Sequence, residues 1–553
     1  MYFYSEDIRS GLNWKGFERF VARLILHLGW KEVSLIGAKG DQGGDVLATR
    51  KEKDGSVKSW VIQCKSVSGT NYVSTKAIEE AVHASGKYGA QVIVVATNGE
   101  FTQSAVARKN ELIHHNFDVR LWNGAFLSGL LDRSPRFSLN RRTLRKYQDE
   151  IVKKVLDAYE NGEKRAFYIV ATGLGKTVIA ASIAQSLWER GCRRILVLCH
   201  ATDLALQLEQ GFWPYIEKDI PTSVFLNGLP PKTSEGISFG LYQSLAGYLG
   251  GLNEEQFDAI IVDEAHHAMA HGFRLCIENF KPKFLVGMTA TPWRGDNQSL
   301  TDIFGEPLQR VSLVDGMALG YLSQVDYRIF CDNVNWEEVP KLANSKVSIK
   351  DLNKRLFLPQ RDEAVIGALK GIYKEFKRPR IAVFSPSLKH CEYFSQMLTA
   401  NGIPCTSLSC DNKVERRERL LKFSTGEFTA VTAVDVLNEG IDIPDVNVLG
   451  FLRATHSRRI FIQQLGRGLR ISDDKEKVIV LDFVSDIRRL ADVVELNNEG
   501  KAKGEKDNIV FLKEGIVSFS NERTGKFIQE WLEDMANLGD EDDDSKLTFP
   551  EGF

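Results

Sequence analysis

The sequence predicts an α/β protein in which two parallel-sheet domains follow one another, preceded by a smaller mixed α/β module. From residue 144 onward, short apolar runs ending in polar or small residues alternate with helical segments, and this rhythm restarts after about residue 320. Such runs are typical of strands in a parallel sheet that helices cover on both faces. A polar, basic, proline-bearing stretch at 133–142 indicates the boundary behind the first module.

Composition indicates a globular protein without a membrane segment. The 553 residues are 43% hydrophobic and 26% charged, no apolar run approaches the length of a membrane span, and no secretory leader pattern is visible. The eight cysteines are scattered without a CxxC pair, which predicts free buried thiols and a cytoplasmic location. The formal net charge of −2 means that any nucleic-acid binding must come from a local basic surface.

The first module reads as a helix at 14–28, strands at 45–51 and 60–65, a helix at 75–87 and a strand at 91–96. "KDG" at 53–55 predicts a three-residue hairpin turn closed by a glycine. Paired residue numbers then sum to 108, which places Asp45 opposite Gln63, with Lys65 on the same face. A two-residue turn would instead pair Asp45 with Cys64 and scatter the group.

This predicted cluster suits phosphodiester cleavage. Asp45 and the side-chain carbonyl of Gln63 are oxygen ligands of the kind that Mg²⁺ prefers. Lys65 can orient water or stabilise developing negative charge, and Glu18 on the first helix can add a carboxylate. Asp41 is the alternative metal ligand. The competing interpretation is that Lys65 and Glu18 are surface charges on an ordinary α/β module.

"VATGLGKT" at 170–177 lies between a predicted strand and a helix, as a phosphate-binding loop does. Lys176 would neutralise the β- and γ-phosphates, and Thr177 would hold Mg²⁺. The predicted nucleotide-binding residues of the loop itself are Thr172, Gly173, Leu174 and Gly175. Val170 departs from the strict pattern, so the motif alone leaves a plain strand–helix turn as the alternative.

Further along, Asp263 ends a predicted strand in "IIVDEAHH" and can bind the same Mg²⁺, while Glu264 can position or deprotonate the attacking water. "QQLGRGLR" places Arg467 and Arg470 three residues apart, where they can stabilise charge on the transferred phosphoryl group. A solvated helix face is the alternative for the two arginines.

These segments together resemble a superfamily 2 helicase or translocase over roughly residues 140 to 490. "LRKYQDE", "VATGLGKT", "DEAH", "MTATPWRGD", "LNEGIDIP" and "QQLGRGLR" stand in the order of that family's motifs, and two of them most resemble motor subunits of type I and type III restriction enzymes. The resemblance implies two RecA-like domains that bind ATP and Mg²⁺. It assigns adenine contact to Gln148 and nucleotide contact in the second domain to Gly440 and Asp442.

The N-terminal module resembles the Mrr-like branch of the PD-(D/E)xK restriction endonucleases over roughly residues 12 to 131. "GFERF", "GDQGGDV", "QCK" and "VVATNGEFTQSA" carry the match. The resemblance implies a restriction-endonuclease-like fold and a metal-dependent DNA nuclease, with Gln63 where many members have glutamate. A domain that keeps the fold only to bind DNA is the alternative.

The predicted organisation is therefore an endonuclease domain at 1–135, RecA-like domains at 140–315 and 320–490, and a small helical extension with an acidic tail at 491–553. We expect an ATP-dependent DNA helicase or translocase coupled to a Mg²⁺-dependent endonuclease, in restriction or antiphage defence, with double-stranded DNA and further subunits as partners. The motor motifs alone leave RNA open. The rival hypotheses are a repair or recombination helicase, and a recognition scaffold that uses ATP as a switch.

Overall fold

The computed structural model describes a mixed α/β chain whose elements belong to one smaller module and two larger sheets. The described residues are 14–36, 43–68, 71–225, 235–247, 256–268, 271–290, 300–330, 337–342, 345–356, 362–408, 413–434, 446–452, 468–469, 477–483, 488, 516–517 and 546–548.

The chain divides into two compact units. The first comprises Met1–Tyr168, Thr177–Met288 and Thr301–Leu308, and the second comprises Ile169–Lys176, Thr289–Leu300 and Gln309–Phe553. The first unit therefore contains the N-terminal module together with most of the first large sheet, and these two parts contact each other within that unit.

The N-terminal module is built on a five-stranded mixed sheet, in the order β1-β2-β3-β5-β7. The first two pairings are antiparallel and the last two are parallel. Its elements are α1 (Trp14–His27), β1 (Lys31–Leu35), β2 (Val46–Lys51), β3 (Val57–Lys65), β4 (Tyr72–Val73), α2 (Thr75–Tyr88), β5 (Val92–Thr97), β6 (Glu100–Phe101), α3 (Gln103–His114), β7 (Asp118–Trp122) and α4 (Gly124–Arg133). The predicted helices and strands of this module are confirmed within one to three residues at each end.

The two faces of this sheet bury separate hydrophobic clusters. Helix α1 covers one face because its apolar residues recur at helical spacing and are fully buried, namely Phe17, Phe20, Val21, Leu24 and Ile25. Helix α2 covers the other face with Ala77, Ile78, Ala81 and Ala84. The ends of β2 and β3 are thereby fixed between two helices.

The first large sheet has seven strands in the order β10-β11-β9-β12-β13-β8-β14. Four successive pairings from β10 to β13 are parallel, as the apolar runs predict. Its elements are α5 (Lys146–Glu160), β8 (Arg165–Val170), α6 (Lys176–Glu189), β9 (Arg194–Cys199), α7 (Thr202–Phe212), β10 (Thr222–Phe225), β11 (Gly236–Leu241), α8 (Tyr242–Ala246), β12 (Ala259–Val262), a 3₁₀ turn (Ala265–His267), α9 (His271–Asn279), β13 (Phe284–Thr289), α10 (Thr301–Phe304), β14 (Pro307–Val311) and α11 (Leu313–Ala318).

The second large sheet is parallel throughout, in the order β18-β19-β17-β20-β21-β15-β22. Its core gathers apolar residues of β17, β21 and two flanking helices. The elements of this region are β15 (Gln324–Phe330), α12 (Val339–Leu342), β16 (Lys346–Ser348), α13 (Ile349–Leu356), α14 (Asp362–Tyr373), β17 (Ile381–Phe384), α15 (Leu388–Ala400), β18 (Cys405–Ser407), α16 (Lys413–Thr425), β19 (Ala430–Ala433), β20 (Val448–Phe451), β21 (Lys477–Phe483), β22 (Ile516–Val517) and β23 (Lys546–Thr548).

Only five residues of the predicted C-terminal extension at 491–553 are described, and they are strands instead of helix. Ile516–Val517 pairs in parallel with β15, and Lys546–Thr548 pairs antiparallel with β16. The rest of that extension, including the acidic tail, lies outside the described residues.

Two further expectations concern the described part of the chain. Six cysteines there are free and buried, as predicted from their scatter. None of the helices in the described ranges combines the length and apolar content that crossing a bilayer requires.

Candidate functional site

The hairpin of β2 and β3 has the register that its turn predicts. Leu47 lies opposite Val61 and Lys51 lies opposite Val57, so paired numbers sum to 108. Gly55 closes the turn in the left-handed region with φ +86°, and its N–H donates to the Glu52 carbonyl at 3.0 Å. The three-residue connection is therefore confirmed.

Asp45 and Gln63 meet at the far end of this hairpin. The Asp45 N–H donates to the Ile62 carbonyl at 2.9 Å, although Ile62 already pairs with Val46, so Asp45 lies one residue off the hairpin register and its predicted direct pairing with Gln63 is replaced by this contact. Gln63 Nε2 donates to Asp45 Oδ2 at 2.7 Å, and the Cys64 N–H donates to the same oxygen at 2.6 Å. Gln63 Oε1 accepts from the Gly44 N–H at 2.6 Å, so this amide holds the Asp45 carboxylate to the backbone before it.

The two glycines before Asp45 have conformations that only glycine adopts easily. Gly43 has φ +101°, and a Cβ there would come within 2.2 Å of the Glu80 carbonyl oxygen on α2. Gly44 has φ +91°. The glycine pair therefore lets the chain pass directly against α2 and deliver Asp45 to the edge of the sheet.

Glu18 reaches the same corner from α1. Its side chain and that of Asp45 are both buried, and a hydrogen bond joins the two carboxyl groups. Burial and, to a smaller extent, the neighbouring Asp45 charge together raise the pKa of Glu18 to about 8. Burial also raises the pKa of Asp45, against the hydrogen bond from the Cys64 N–H and the charge of Lys65.

Lys65 lies close enough to Asp45 for their charges to interact, and it ion-pairs with a residue that the sequence did not reveal. Its Nζ lies 2.6 Å from Oε2 of Glu80 on α2, with both side chains about one third exposed. The signal for Glu80 was weak, because it is one of two adjacent glutamates on an amphipathic helix. Its neighbour Glu79 pairs with Arg108 instead.

The donor set of this corner fits a hard divalent cation. Two adjacent buried carboxylates share a hydrogen bond where two negative charges would otherwise repel each other, so a cation can replace the shared proton. Mg²⁺ typically takes one or two protein carboxylates and keeps several waters. In the described ranges no group of three His, Cys, Asp or Glu side chains forms a ready-made metal site.

The loop before α6 has the backbone of a phosphate-binding loop. Gly173 and Gly175 have φ +87° and +86°, and Leu174 is fully buried against Gly316 of α11. Thr172 is half-buried in the same turn. Helix α6 begins at Lys176, so Lys176 and Thr177 form its first turn, where helix N–H groups favour an anion.

Asp263 and Glu264 follow β12 at its carboxyl end. Asp263 is buried, and its Oδ1 accepts from the Glu264 N–H at 3.0 Å. Glu264 has φ +46°, a left-handed conformation that costs a non-glycine residue about 1–2 kcal/mol. Oε2 of Glu264 lies 3.3 Å from Nδ1 of buried His266. Backbone strain of this kind is concentrated at functional sites.

Gln148, predicted to contact adenine, helps to begin α5. Its Oε1 accepts from the Arg145 N–H at 3.0 Å, and its Nε2 donates to the Tyr147 hydroxyl at 3.3 Å. These contacts give the side chain a local capping role. The adenine contact stays a prediction.

Five other predicted site residues lie outside the described residues. They are Gly440, Asp442, Arg467, Arg470 and the alternative metal ligand Asp41.

Three family models match successive parts of the chain. Residues 9–131 match the model described as a restriction endonuclease, residues 141–294 that of the type III restriction enzyme res subunit, and residues 363–472 that of the helicase conserved C-terminal domain. Their order is the order in which the sequence motifs predicted a nuclease and then a motor.

Relatives with a curated description share the motor region at modest identity. The DNA 3'-5' translocase XPB2 of Sulfurisphaera tokodaii is 26% identical over 372 residues, which is 61% of this chain and 80% of that protein. The type I restriction enzyme EcoAI endonuclease subunit of Escherichia coli is 25% identical over 396 residues, or 65% of this chain and 47% of that protein. The chain also spans 51% of the length of a Saccharomyces cerevisiae relative.

A solved structure extends the similarity to nearly the whole chain. The ATP-dependent type ISP restriction-modification enzyme LlaBIII, bound to DNA, superimposes with a TM-score of 0.51 at 18% identity, covering 97% of this chain and 42% of that one. At this identity the likeness describes the fold.

Proposed function

Because this chain carries an Mrr-type restriction endonuclease domain followed by the two domains of a superfamily 2 helicase, we propose that it is an ATP-dependent DNA translocase coupled to a Mg²⁺-dependent DNA endonuclease. Its setting is restriction or antiphage defence in the cytoplasm. Double-stranded DNA is the proposed substrate, and the DNA-bound relative LlaBIII and the named DNA translocase XPB2 support DNA as the nucleic acid. Subunits that supply sequence recognition are its partners.

The observation that carries the nuclease assignment is the joint placement of Glu18, Asp45, Gln63 and Lys65 at one corner of a single sheet. Glu18 and Asp45 would hold Mg²⁺, and the metal would polarise the scissile phosphate. The predicted role of Gln63 as a further oxygen ligand would require its side chain to turn, because its Oε1 accepts from the Gly44 N–H and its Nε2 faces Asp45. Gln63 Nε2 and the Cys64 N–H fix the Asp45 carboxylate. Lys65, held by Glu80, is placed to orient the attacking water and to stabilise charge on the phosphate.

The motor follows from the nucleotide-binding loop and the strained turn after β12. Gly173, Gly175 and Lys176 would bind the ATP phosphates, and Thr177 with Asp263 would hold the accompanying Mg²⁺. Glu264 would position the attacking water, and its place in a strained turn next to His266 supports this role. Arg467 and Arg470 would stabilise the transferred phosphoryl group, and Gly440 and Asp442 would contact nucleotide from the second domain.

The decisive experiment separates the two activities in the full chain. Plasmid DNA with and without methylation is incubated with ATP and Mg²⁺, and both nicking and phosphate release are measured. Asp45→Asn and Lys65→Ala are expected to abolish cleavage while DNA-stimulated ATP hydrolysis survives. Lys176→Ala and Glu264→Gln are expected to abolish ATP hydrolysis.

Lys58→Ala is the matched control, because Lys58 lies on the same strand as Lys65 but at the turn end of the hairpin. It should cut DNA at the wild-type rate. Cleavage that persists in both Asp45→Asn and Lys65→Ala would contradict the nuclease assignment. The alternative, an N-terminal domain that only binds DNA, would then be favoured. Absence of multiple-turnover ATP hydrolysis in the wild type would contradict the motor assignment and favour a recognition scaffold that uses ATP as a switch.

A further inference from the structure

Helix α1 of the nuclease domain is bound to the motor domain through a second set of charged residues. Arg19, next to Glu18 in sequence, makes a two-pronged ion pair with Glu209 on α7, in which Nε donates to Oε2 at 2.8 Å and Nη2 contacts Oε1. The Thr222 hydroxyl donates to Oε1 of the same carboxylate at 2.7 Å. Glu209 is fully buried although it is charged, and two-pronged pairs of this kind restrict orientation more than a single contact does.

Arg23, one turn further along α1, is also fully buried. Its guanidinium donates to the carbonyls of Ile220 at 3.0 Å and Glu217 at 2.9 Å. Burial lowers the pKa of Arg23 to about 9, which still leaves it charged at neutral pH. The joint between α1 and the segment 209–222, here called the α1 joint, therefore consists of buried charged groups with defined geometry.

Arg19 of the α1 joint directly follows Glu18 of the proposed nuclease site on the same helix. Successive helical residues are about 100° apart, so Glu18 turns toward Asp45 while Arg19 turns toward Glu209. A rotation or shift of the first turns of α1 would move both side chains together. The backbone position of Glu18 is set by α1, while its carboxyl group also contacts Asp45.

We propose that Glu209 of the motor domain is a positioning residue for the nuclease site, acting through Arg19 and α1 on Glu18. This inference rests on the proposed nuclease function. Without the Glu209 carboxylate, Arg19 loses both prongs of its ion pair, and the first two turns of α1 then rest on the apolar packing of Phe17 and Phe20, which restrains the Glu18 carboxyl less strongly relative to Asp45. A group that orients a metal ligand typically changes metal affinity about 10- to 100-fold.

Helix α7, which carries Glu209, also contacts the candidate nucleotide site. A Cβ at Gly211, two residues after Glu209, would come within 2.7 Å of Cγ2 of Thr177. Helix α7 therefore lies against Thr177, the predicted Mg²⁺–ATP ligand, while it holds the helix that carries Glu18. The α1 joint is therefore adjacent to two proposed Mg²⁺ ligands, Glu18 of the nuclease site and Thr177 of the nucleotide site.

The test compares full-length Glu209→Gln with wild type. Gln keeps the size of the side chain but removes the charge that binds Arg19. We expect the Mg²⁺ concentration for half-maximal plasmid cleavage to rise about tenfold, with faster amide hydrogen exchange in the first two turns of α1. DNA-stimulated ATP hydrolysis should stay within about twofold of wild type, because the nucleotide-binding residues are unchanged.

Arg136→Gln is the matched control. It breaks the ion pair of Arg136 with the Glu217 side chain at the same domain boundary, but this pair is exposed on the arginine side, and Arg23 of α1 contacts the backbone carbonyl of Glu217 instead of its side chain. It should leave the Mg²⁺ dependence and the exchange of α1 unchanged. Arg19→Lys, which keeps the charge but loses the fork, is expected to show a smaller shift in the same direction, and it decides the matter if Glu209→Gln does not fold.

Unchanged Mg²⁺ dependence and unchanged exchange in Glu209→Gln and Arg19→Lys would overturn the inference. A parallel loss of cleavage, ATP hydrolysis and thermal stability would also overturn it, because it would show a purely structural role. If the wild type does not cut DNA, the proposed function fails, while the exchange of α1 and Mg²⁺ binding measured by calorimetry still decide whether Glu209 positions Glu18.

Discussion

Glu18 and Asp45 share one buried corner, so their protonation couples the stability of the metal-free protein to pH. A carboxyl group whose pKa is higher in the folded protein than in the unfolded chain binds its proton more tightly when folded. Its contribution to stability is therefore fully present below about pH 4.5 and is lost as the pH rises through about 8. The corner is destabilised at alkaline pH unless a cation replaces the proton.

Replacing Glu18 with glutamine should remove this penalty. In metal-free buffer at pH 9, Glu18→Gln is expected to have a higher melting temperature than wild type. Its unfolding free energy should exceed that of wild type by an amount on the order of 2 kcal/mol. The difference should shrink toward pH 4.5 and should be reduced when Mg²⁺ is added to the wild type. Scanning calorimetry across this range measures it, and a difference that is constant with pH would contradict the assignment.

The residue scale is also where sequence reasoning reached its limit. Asp45, Gln63 and Lys65 could be grouped because a glycine-closed turn fixes the register and the two-residue period of a strand fixes the face. Glu80 could not, since its contact with Lys65 depends on how α2 packs on the sheet. The pair of Arg19 with Glu209 joins residues 190 positions apart, and no local pattern signals it.

At the scale of elements, the hairpin and the glycines before it set the geometry of the nuclease corner. The hairpin turn is stabilised locally, because Asp54 Oδ1 accepts from the N–H of Ser56 at 2.9 Å and from its hydroxyl at 2.6 Å. The approach to Asp45 is stabilised by the close passage of Gly43 along α2. The two positive-φ glycines therefore have different environments: Gly55 in the turn has open space around it, whereas Gly43 is crowded by α2.

A pair of alanine substitutions should separate these environments. Gly55→Ala, with no atom within 4 Å of the new Cβ, is expected to cost about 1 kcal/mol from backbone strain and to leave cleavage intact. Gly43→Ala adds a clash with the Glu80 carbonyl at 2.2 Å, so the segment before Asp45 must shift and cleavage should fall at least about tenfold. Cleavage assays at saturating Mg²⁺, with melting temperatures of both variants, provide the comparison. Equal cleavage by the two variants would show that this close passage does not position Asp45.

The element types could be predicted along most of the described chain, because buried parallel strands and amphipathic helices have clear periods. The resemblance assigned adenine contact to Gln148 but did not predict its structural role, which is to cap the start of α5 with its amide. The pairing of Ile516–Val517 with β15 was not predictable either, as two residues carry no periodic signal and the partner strand lies far away in sequence.

At the scale of the whole molecule, the nuclease domain and the first motor domain are joined through groups that are sensitive to acid. His27, at the end of α1, is buried, and the charge of Arg23 adds to the effect of burial, so its pKa falls to about 3. Lys218 contributes a further positive charge. Folding therefore requires neutral His27, whereas the unfolded chain takes up a proton below about pH 6.5, and stability is lost as the pH falls through that window.

His27→Gln should weaken this dependence on acid. Wild type and variant are compared by their melting temperatures at pH 7.5 and pH 5. The wild type is expected to lose more stability over this interval, by about 1–2 kcal/mol in unfolding free energy, because glutamine takes up no proton. Identical losses would mean that His27 is accessible to water in the folded protein.

Trp213 of the motor segment belongs to the same hydrophobic cluster as Phe17, Phe20 and Trp60 of the nuclease domain. An excised fragment ending at residue 135 would therefore be missing a large indole from its interior and would present bare apolar surface to water. On the ribosome, the proposed nuclease module cannot complete its interior until the polypeptide has emerged past residue 213. The nascent chain thus contains the candidate nucleotide-binding loop before its N-terminal module can finish folding.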